Sequence, residues 1–143
     1  MINNDKISVL ITSHKARFNT LNRVIGSWLT QPVDEIWVID DGNNFKTEIK
    51  DPRLLIFNMP KDFETKSDYA LALLTEGDII ILADDDIVVR DTFTNSFYNS
   101  LKKTNNSIVG LAGKKCFGPR YNKDIQIYKS NMISQPIEVE YVG

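Results

Sequence analysis

The chain has 143 residues, 42% of them hydrophobic and 25% charged, with 17 basic against 19 acidic side chains and a formal net charge of -2. That length suits one domain with a two- or three-layer core, and the charge balance carries no footprint of nucleic-acid or membrane binding. One cysteine and one histidine exclude an internal disulfide and a zinc site built from Cys and His, so any metal must be a hard, oxygen-loving ion. No stretch reaches the roughly 20 apolar residues of a membrane span and Met1–Lys6 lacks the form of a signal peptide, which makes a reducing, cytoplasmic compartment the expectation.

Ile7-Ser8-Val9-Leu10-Ile11 is short, β-branched and almost wholly apolar, the pattern of a strand buried on both faces of a parallel sheet. It opens into a polar loop, Thr12-Ser13-His14-Lys15-Ala16-Arg17. Leu21, Val24, Ile25, Trp28 and Leu29 then fall on one helical face, with Asn19 or Thr20 as a cap and Pro32 preventing continuation. Glu35-Ile36-Trp37-Val38-Ile39 predicts a second buried strand, ending in Asp40-Asp41-Gly42.

After the turn at Asp51-Pro52, Leu54–Phe57 predicts a third strand, and the helical pattern from Phe63 to Glu76 is followed by Gly77 at a C-cap position. Asp78–Val89 contains the fourth strand, an apolar run that ends in Asp84-Asp85-Asp86. Asp91 is placed to cap a helix bearing Phe93, Phe97 and Leu101. Ser107–Ala112 predicts a fifth strand and the alternation of Ile137–Val142 a half-exposed one, with weak patterning between. The whole is expected to be a single domain over 1–143.

Strands alternating with helices imply an α/β fold with a mainly parallel sheet flanked by helices, in which ligands bind beyond the carboxyl ends of the strands. Three polar clusters leave that edge: the loop after the first strand, the Asp pair after the second and the Asp triplet after the fourth. Side chains alternate along an extended backbone, so Asp84 and Asp86 project to one side and Asp85 to the other. An isolated Asp-x-Asp is usually a solvated turn. After an apolar strand, beside matching loops, two such carboxylates suit Mg²⁺ or Mn²⁺ that keeps waters and takes substrate phosphate oxygens. Asp41 is either a turn residue or an acceptor for a nucleobase or ribose, His14 a loop residue or a base-stacking ring, and Arg17 a solvated charge or a phosphate ligand.

The ordered set Ile7–His14, Glu35–Gly42 and Gly77–Asp86 resembles the nucleotide-sugar-dependent glycosyltransferases of the GT-A fold, especially family 2. The resemblance implies that Thr12 and His14 lie against the nucleobase, that Asp41 hydrogen-bonds it, that Asp84 or Asp85 reaches the ribose, and that Asp86 coordinates the metal. It further implies a nucleotide diphospho-sugar donor, most often UDP-linked, and a hydroxyl acceptor. The chain departs from the family in a longer loop before Arg17 and in Asp68-Tyr69 where many members carry Arg-Asn, leaving Lys66 as the nearest basic substitute. Members continue into an acceptor-binding half, so the chain is expected to correspond to the donor-binding part, with no general base assigned. Two alternatives carry less of the pattern: a sugar nucleotidylyltransferase, whose Gly-rich phosphate loop has no counterpart between Ile7 and Gly26, and a non-catalytic nucleotide-binding module.

Overall fold

The computed structural model describes residues 1–13, 18–41, 44–64, 66–105, 108–116, 118, 125–129 and 141–142. It falls into two compact units, Met1–Asn95 and Ser96–Gly143. The first is built on a four-stranded parallel sheet of β1 (Ile7–Ser13), β2 (Glu35–Asp41), β3 (Leu54–Met59) and β4 (Ile79–Asp84), in the order β3-β2-β1-β4.

The two central strands explain why their sequences read as continuous apolar runs. Every residue of β1 except Thr12 is buried, and so is every residue of β2 except Glu35, because both sheet faces are covered. On one face α2 (Lys66–Ala72) lays Leu71 and Ala72 against Leu10, Trp37 and Ile39. Trp37 also stacks on Phe57, with ring centroids 4.6 Å apart. The other face presents Val9, Ile11, Ile36 and Val38, all fully buried, and is served by α1 (Phe18–Leu29), whose Leu21, Val24, Ile25 and Trp28 are buried at the predicted helical spacing. Each such aliphatic side chain contributes about 1.5–3 kcal/mol by leaving water.

The outer strands differ. In β4, residues alternate between half-buried and exposed, and Ile80 and Leu82 are 41% and 43% exposed. A uniformly apolar sequence therefore forms an edge strand of this sheet, because partners, rather than composition, decide which face is covered.

Carboxylates fasten the amino ends of the strands, where backbone N–H groups point outward. Asp34 accepts from the Ile7 N–H at 2.9 Å and Asp78 from the Lys6 N–H at 2.9 Å. Glu35 accepts from Ser8 Oγ at 2.5 Å and the Glu76 N–H at 2.9 Å with one oxygen, and from Trp37 Nε1 at 2.6 Å with the other. Gly77 belongs to this junction. The helix before it stops at Ala72, so Gly77 is not its C-cap; the residue is glycine because a Cβ there would lie 2.2 Å from Ser8 Oγ and 2.9 Å from the Ile79 carbonyl oxygen.

α3 (Phe93–Lys103) starts with help from a distant side chain instead of Asp91. Gln31, 2% exposed, accepts the Thr94 N–H and hydroxyl at 3.1 and 3.0 Å and donates to the Arg90 carbonyl at 3.1 Å. Trp28 meets Phe93 edge-on at 5.5 Å. α1 likewise begins at Phe18, ahead of both expected caps, and Thr20 reaches instead to the Asp85 carbonyl at 3.3 Å.

The second unit holds a three-stranded antiparallel sheet in the order β6-β5-β7, with β5 at Ala112–Cys116, β6 at Ile125–Lys129 and β7 at Tyr141–Val142. The fifth strand lies C-terminal to the predicted Ser107–Ala112. β6 carries no strong signal, being a short segment between polar neighbours, and of Ile137–Val142 only Tyr141–Val142 falls within the described residues. Among the described residues no helix is long and apolar enough to cross a membrane.

The two glycines with described surroundings give a matched test. Gly77→Ala is expected to cost about 1–3 kcal/mol through overpacking against Ser8 and the Ile79 carbonyl. Gly26→Ala, inside α1 with nothing within 4 Å of the new Cβ, is expected to gain about 0.5–1 kcal/mol from helix propensity. Urea denaturation of both variants measures the pair, and equal effects would contradict this account of Gly77.

Candidate functional site

Register brings the polar residues of the carboxyl edge together. Thr12 pairs with Ile39 of β2 and with Asp84 of β4, so Thr12 and Asp84 share a sheet face, and Asp41, two residues beyond Ile39, lies on the same face. This is the face that α2 covers, and Asp68 in the first turn of α2 accepts a hydrogen bond from Thr12 Oγ1. Four side chains from four elements thus meet at one end of the sheet.

Their electrostatics are unusual for surface carboxyls. Burial pushes the Asp41 carboxyl above the ordinary aspartate range; the Phe63 N–H opposes the shift, and the negative Asp62, Asp68 and Asp40 add to it. Asp68 is also raised, chiefly by burial and further by Asp84, against the opposing hydrogen bond from Thr12. Asp41 is 6% exposed. Both groups are therefore costly to ionise where they stand.

The opposite face at the same edge holds a second pair. Asp40, fully buried, accepts the Phe45 N–H through Oδ2, and it is paired in register with Ser13. Asp40 Oδ1 and Ser13 Oγ find no hydrogen-bond partner among the described residues. Phe18 and Phe45 pack nearby, with centroids 5.2 Å apart.

In the triplet, exposure alternates: Asp84 exposed, Asp85 2% exposed, Asp86 exposed. β4 ends at Asp84 and the next two residues turn, with the Asp85 carbonyl held by Thr20. Among the described residues no three His, Cys, Asp or Glu side chains are grouped so as to hold a metal ion. The donors at the turn are carboxylate oxygens alone, a set suited to a hard divalent ion that completes its shell with water and ligand oxygens and unsuited to one enclosed by protein.

The other predicted site residues lie apart or undescribed. Lys66 opens α2, exposed, with Nζ 3.2 Å from Glu64. His14 and Arg17 lie outside the described residues. Asp68 was not among the predicted site residues. Its position in a helix's first turn is explained by the helix dipole alone, and only the tertiary contact with Thr12 distinguishes it.

Comparison with known proteins adds three findings. A model of glycosyl transferase family 2 matches residues 8–138. The fold is similar to that in the crystal structure of residues 1–349 of TarS from S. aureus, with a TM-score of 0.54 and 13% identity over 78% of this chain and 34% of that one. The chain thus spans about a third of that protein's crystallised length. No curated protein sequence matches significantly.

A raised carboxyl pKa means that the folded chain holds its proton more tightly than the unfolded chain, so stability falls as pH climbs through the window above the ordinary aspartate value. Asp41→Asn, which cannot ionise, is expected to be more stable than the parent at about pH 7 and to lose that advantage toward about pH 4. Chemical denaturation at the two pH values measures it. An advantage that grows on acidification would contradict the assignment.

Proposed function

Because the chain belongs to glycosyl transferase family 2, we propose that the carboxyl edge of β1, β2 and β4 binds a nucleotide diphospho-sugar, probed here as UDP-linked, for transfer of its sugar to an acceptor hydroxyl. The GT-A arrangement supports this: a parallel sheet flanked by helices, with binding residues leaving from the strand ends. The observation that carries the reading is the convergence of Thr12, Asp41 and Asp84 on one face, next to the exposed Asp86.

In this reading Thr12, Asp41 and His14 form the base side of the site. Asp84, the exposed member of the Asp84–Asp85 pair, serves the ribose, while buried Asp85 supports the turn. Asp86 and Asp84, both exposed at the end of β4, would hold Mn²⁺ or Mg²⁺. Such an ion stabilises the negative charge that develops on the diphosphate when the anomeric C–O bond breaks. Arg17 and Lys66 serve the phosphates. Lys66 is free to do so because its exposed pair with Glu64 is worth little in water.

The acidic edge explains the need for a cation from this chain's own residues. Asp68 already raises the cost of ionising Asp41, and Asp84 that of ionising Asp68, and a diphosphate brought beside them adds like charge. Neutralisation at Asp84 and Asp86 offsets that repulsion.

Calorimetric titration with UDP is expected to show binding that strengthens on addition of Mn²⁺. Asp86→Ala should weaken the Mn²⁺-dependent component by about tenfold or more, as loss of a metal-positioning group does. Unchanged affinity in that variant would remove the metal assignment. Hydrolysis of a panel of nucleotide sugars, with and without Mn²⁺, then identifies the donor.

A further inference from the structure

The Thr12–Asp68 hydrogen bond has a chemical consequence for whatever base lies on this edge. A threonine hydroxyl has one proton to donate and two lone pairs to accept with. Here that proton is committed to Asp68 across the gap between β1 and α2, in a part-buried setting where water competes poorly for it. The oxygen of Thr12 is then left to present lone pairs only. Asp41 on the same face is an acceptor whenever it is ionised, and Asp68 lies near enough to Asp41 to raise its pKa.

We propose that Asp68 is a specificity-determining residue that, by holding the Thr12 proton, makes the base pocket read a ring N–H. The inference rests on the donor-site reading above. Uracil carries a proton on N3 and guanine one on N1, and either meets the Thr12 oxygen as donor to acceptor. Cytosine N3 and adenine N1 are themselves acceptors and would face acceptor against acceptor, leaving two buried polar groups unsatisfied. The chain of hydrogen bonds from base to Thr12 to Asp68 also polarises in one direction, which strengthens each link. Asp68 acts through Thr12, so it is a positioning residue in the pocket.

UDP and CDP differ in the protonation of N3 and in the group on C4, and share sugar and diphosphate, so they are the probes. Calorimetry in the presence of Mn²⁺ is expected to show the parent binding UDP at least about tenfold more tightly than CDP. In Asp68→Ala the Thr12 hydroxyl is released to donate to cytosine N3, and the ratio should fall to about twofold or less, mainly through tighter CDP binding. Thr12→Val should abolish the effect of a subsequent Asp68→Ala on the ratio, the signature of action through Thr12. Because both nucleotides are titrated into the same preparation, partial loss of folded protein leaves the ratio unchanged. Should Asp68→Ala fail to fold, Asp68→Leu, which keeps bulk at the site and accepts no hydrogen bond, also frees the hydroxyl. A parent ratio near one, or a parent-like ratio in the Asp68 variants, overturns the inference while leaving the donor site standing. Absence of binding by either nucleotide overturns the donor-site reading and this inference with it.

Discussion

At the carboxyl edge of a parallel sheet the strands end in carbonyl oxygens, and here the side chains placed beside them are also acceptors. β1 ends in Thr12 and Ser13, β2 in Asp40 and Asp41, and β4 in Asp84, followed by Asp85 and Asp86. Among the described residues this surplus of acceptors over donors is the constraint on which the site depends. It adds to the burial that already raises the pKa values of Asp41 and Asp68 and leaves Asp40 Oδ1 and Ser13 Oγ buried without a partner among the described residues. A ligand that brings N–H groups and a cation would complement these described acceptors.

The amino edge of the same sheet is the contrasting case. There Asp34, Glu35 and Asp78 face outward-pointing N–H groups of Ile7, Glu76 and Lys6, and carboxylates find donors. In Asp34 burial alone would raise the pKa, yet the chain's own amino terminus and the Ile7 N–H outweigh it and the group is lowered. The same residue type is thus stabilising at one end of the sheet and costly at the other. A charged amino terminus and a strand N–H decide the first case, burial and neighbouring carboxylates the second.

The central strands were legible because burial on both faces writes itself as an uninterrupted apolar run, and α1 because its buried positions recur at helical spacing. The sequence was less informative wherever a partner outside the element decides the outcome. Ile80 and Leu82 belong to an apolar run, yet they are half exposed and their strand is an edge of this sheet. Gly77 read as a helix stop, but its reason is the hydroxyl of Ser8, almost seventy positions away. Gln31, which no sequence pattern singles out, caps α3. Ile125–Lys129 could not be recognised as a strand because its pairing partner, Ala112–Cys116, was itself expected several residues earlier.

The candidate site divides along the same line. Thr12, Asp41 and Asp84 were recognisable because strand ends fix their position through backbone register, whereas Asp85 and Asp86 lie in the turn beyond β4. Asp68 was not, because its contact with Thr12 requires α2 to be laid across β1, and α2 is seated by Leu71 and Ala72 on Leu10, Trp37 and Ile39. The apolar contact thus determines where the carboxylate falls. Packing between a short helix and the sheet therefore sets the hydrogen-bonding character of Thr12, and a change in the core beneath α2 would be felt at the carboxyl edge without any substitution in the site itself.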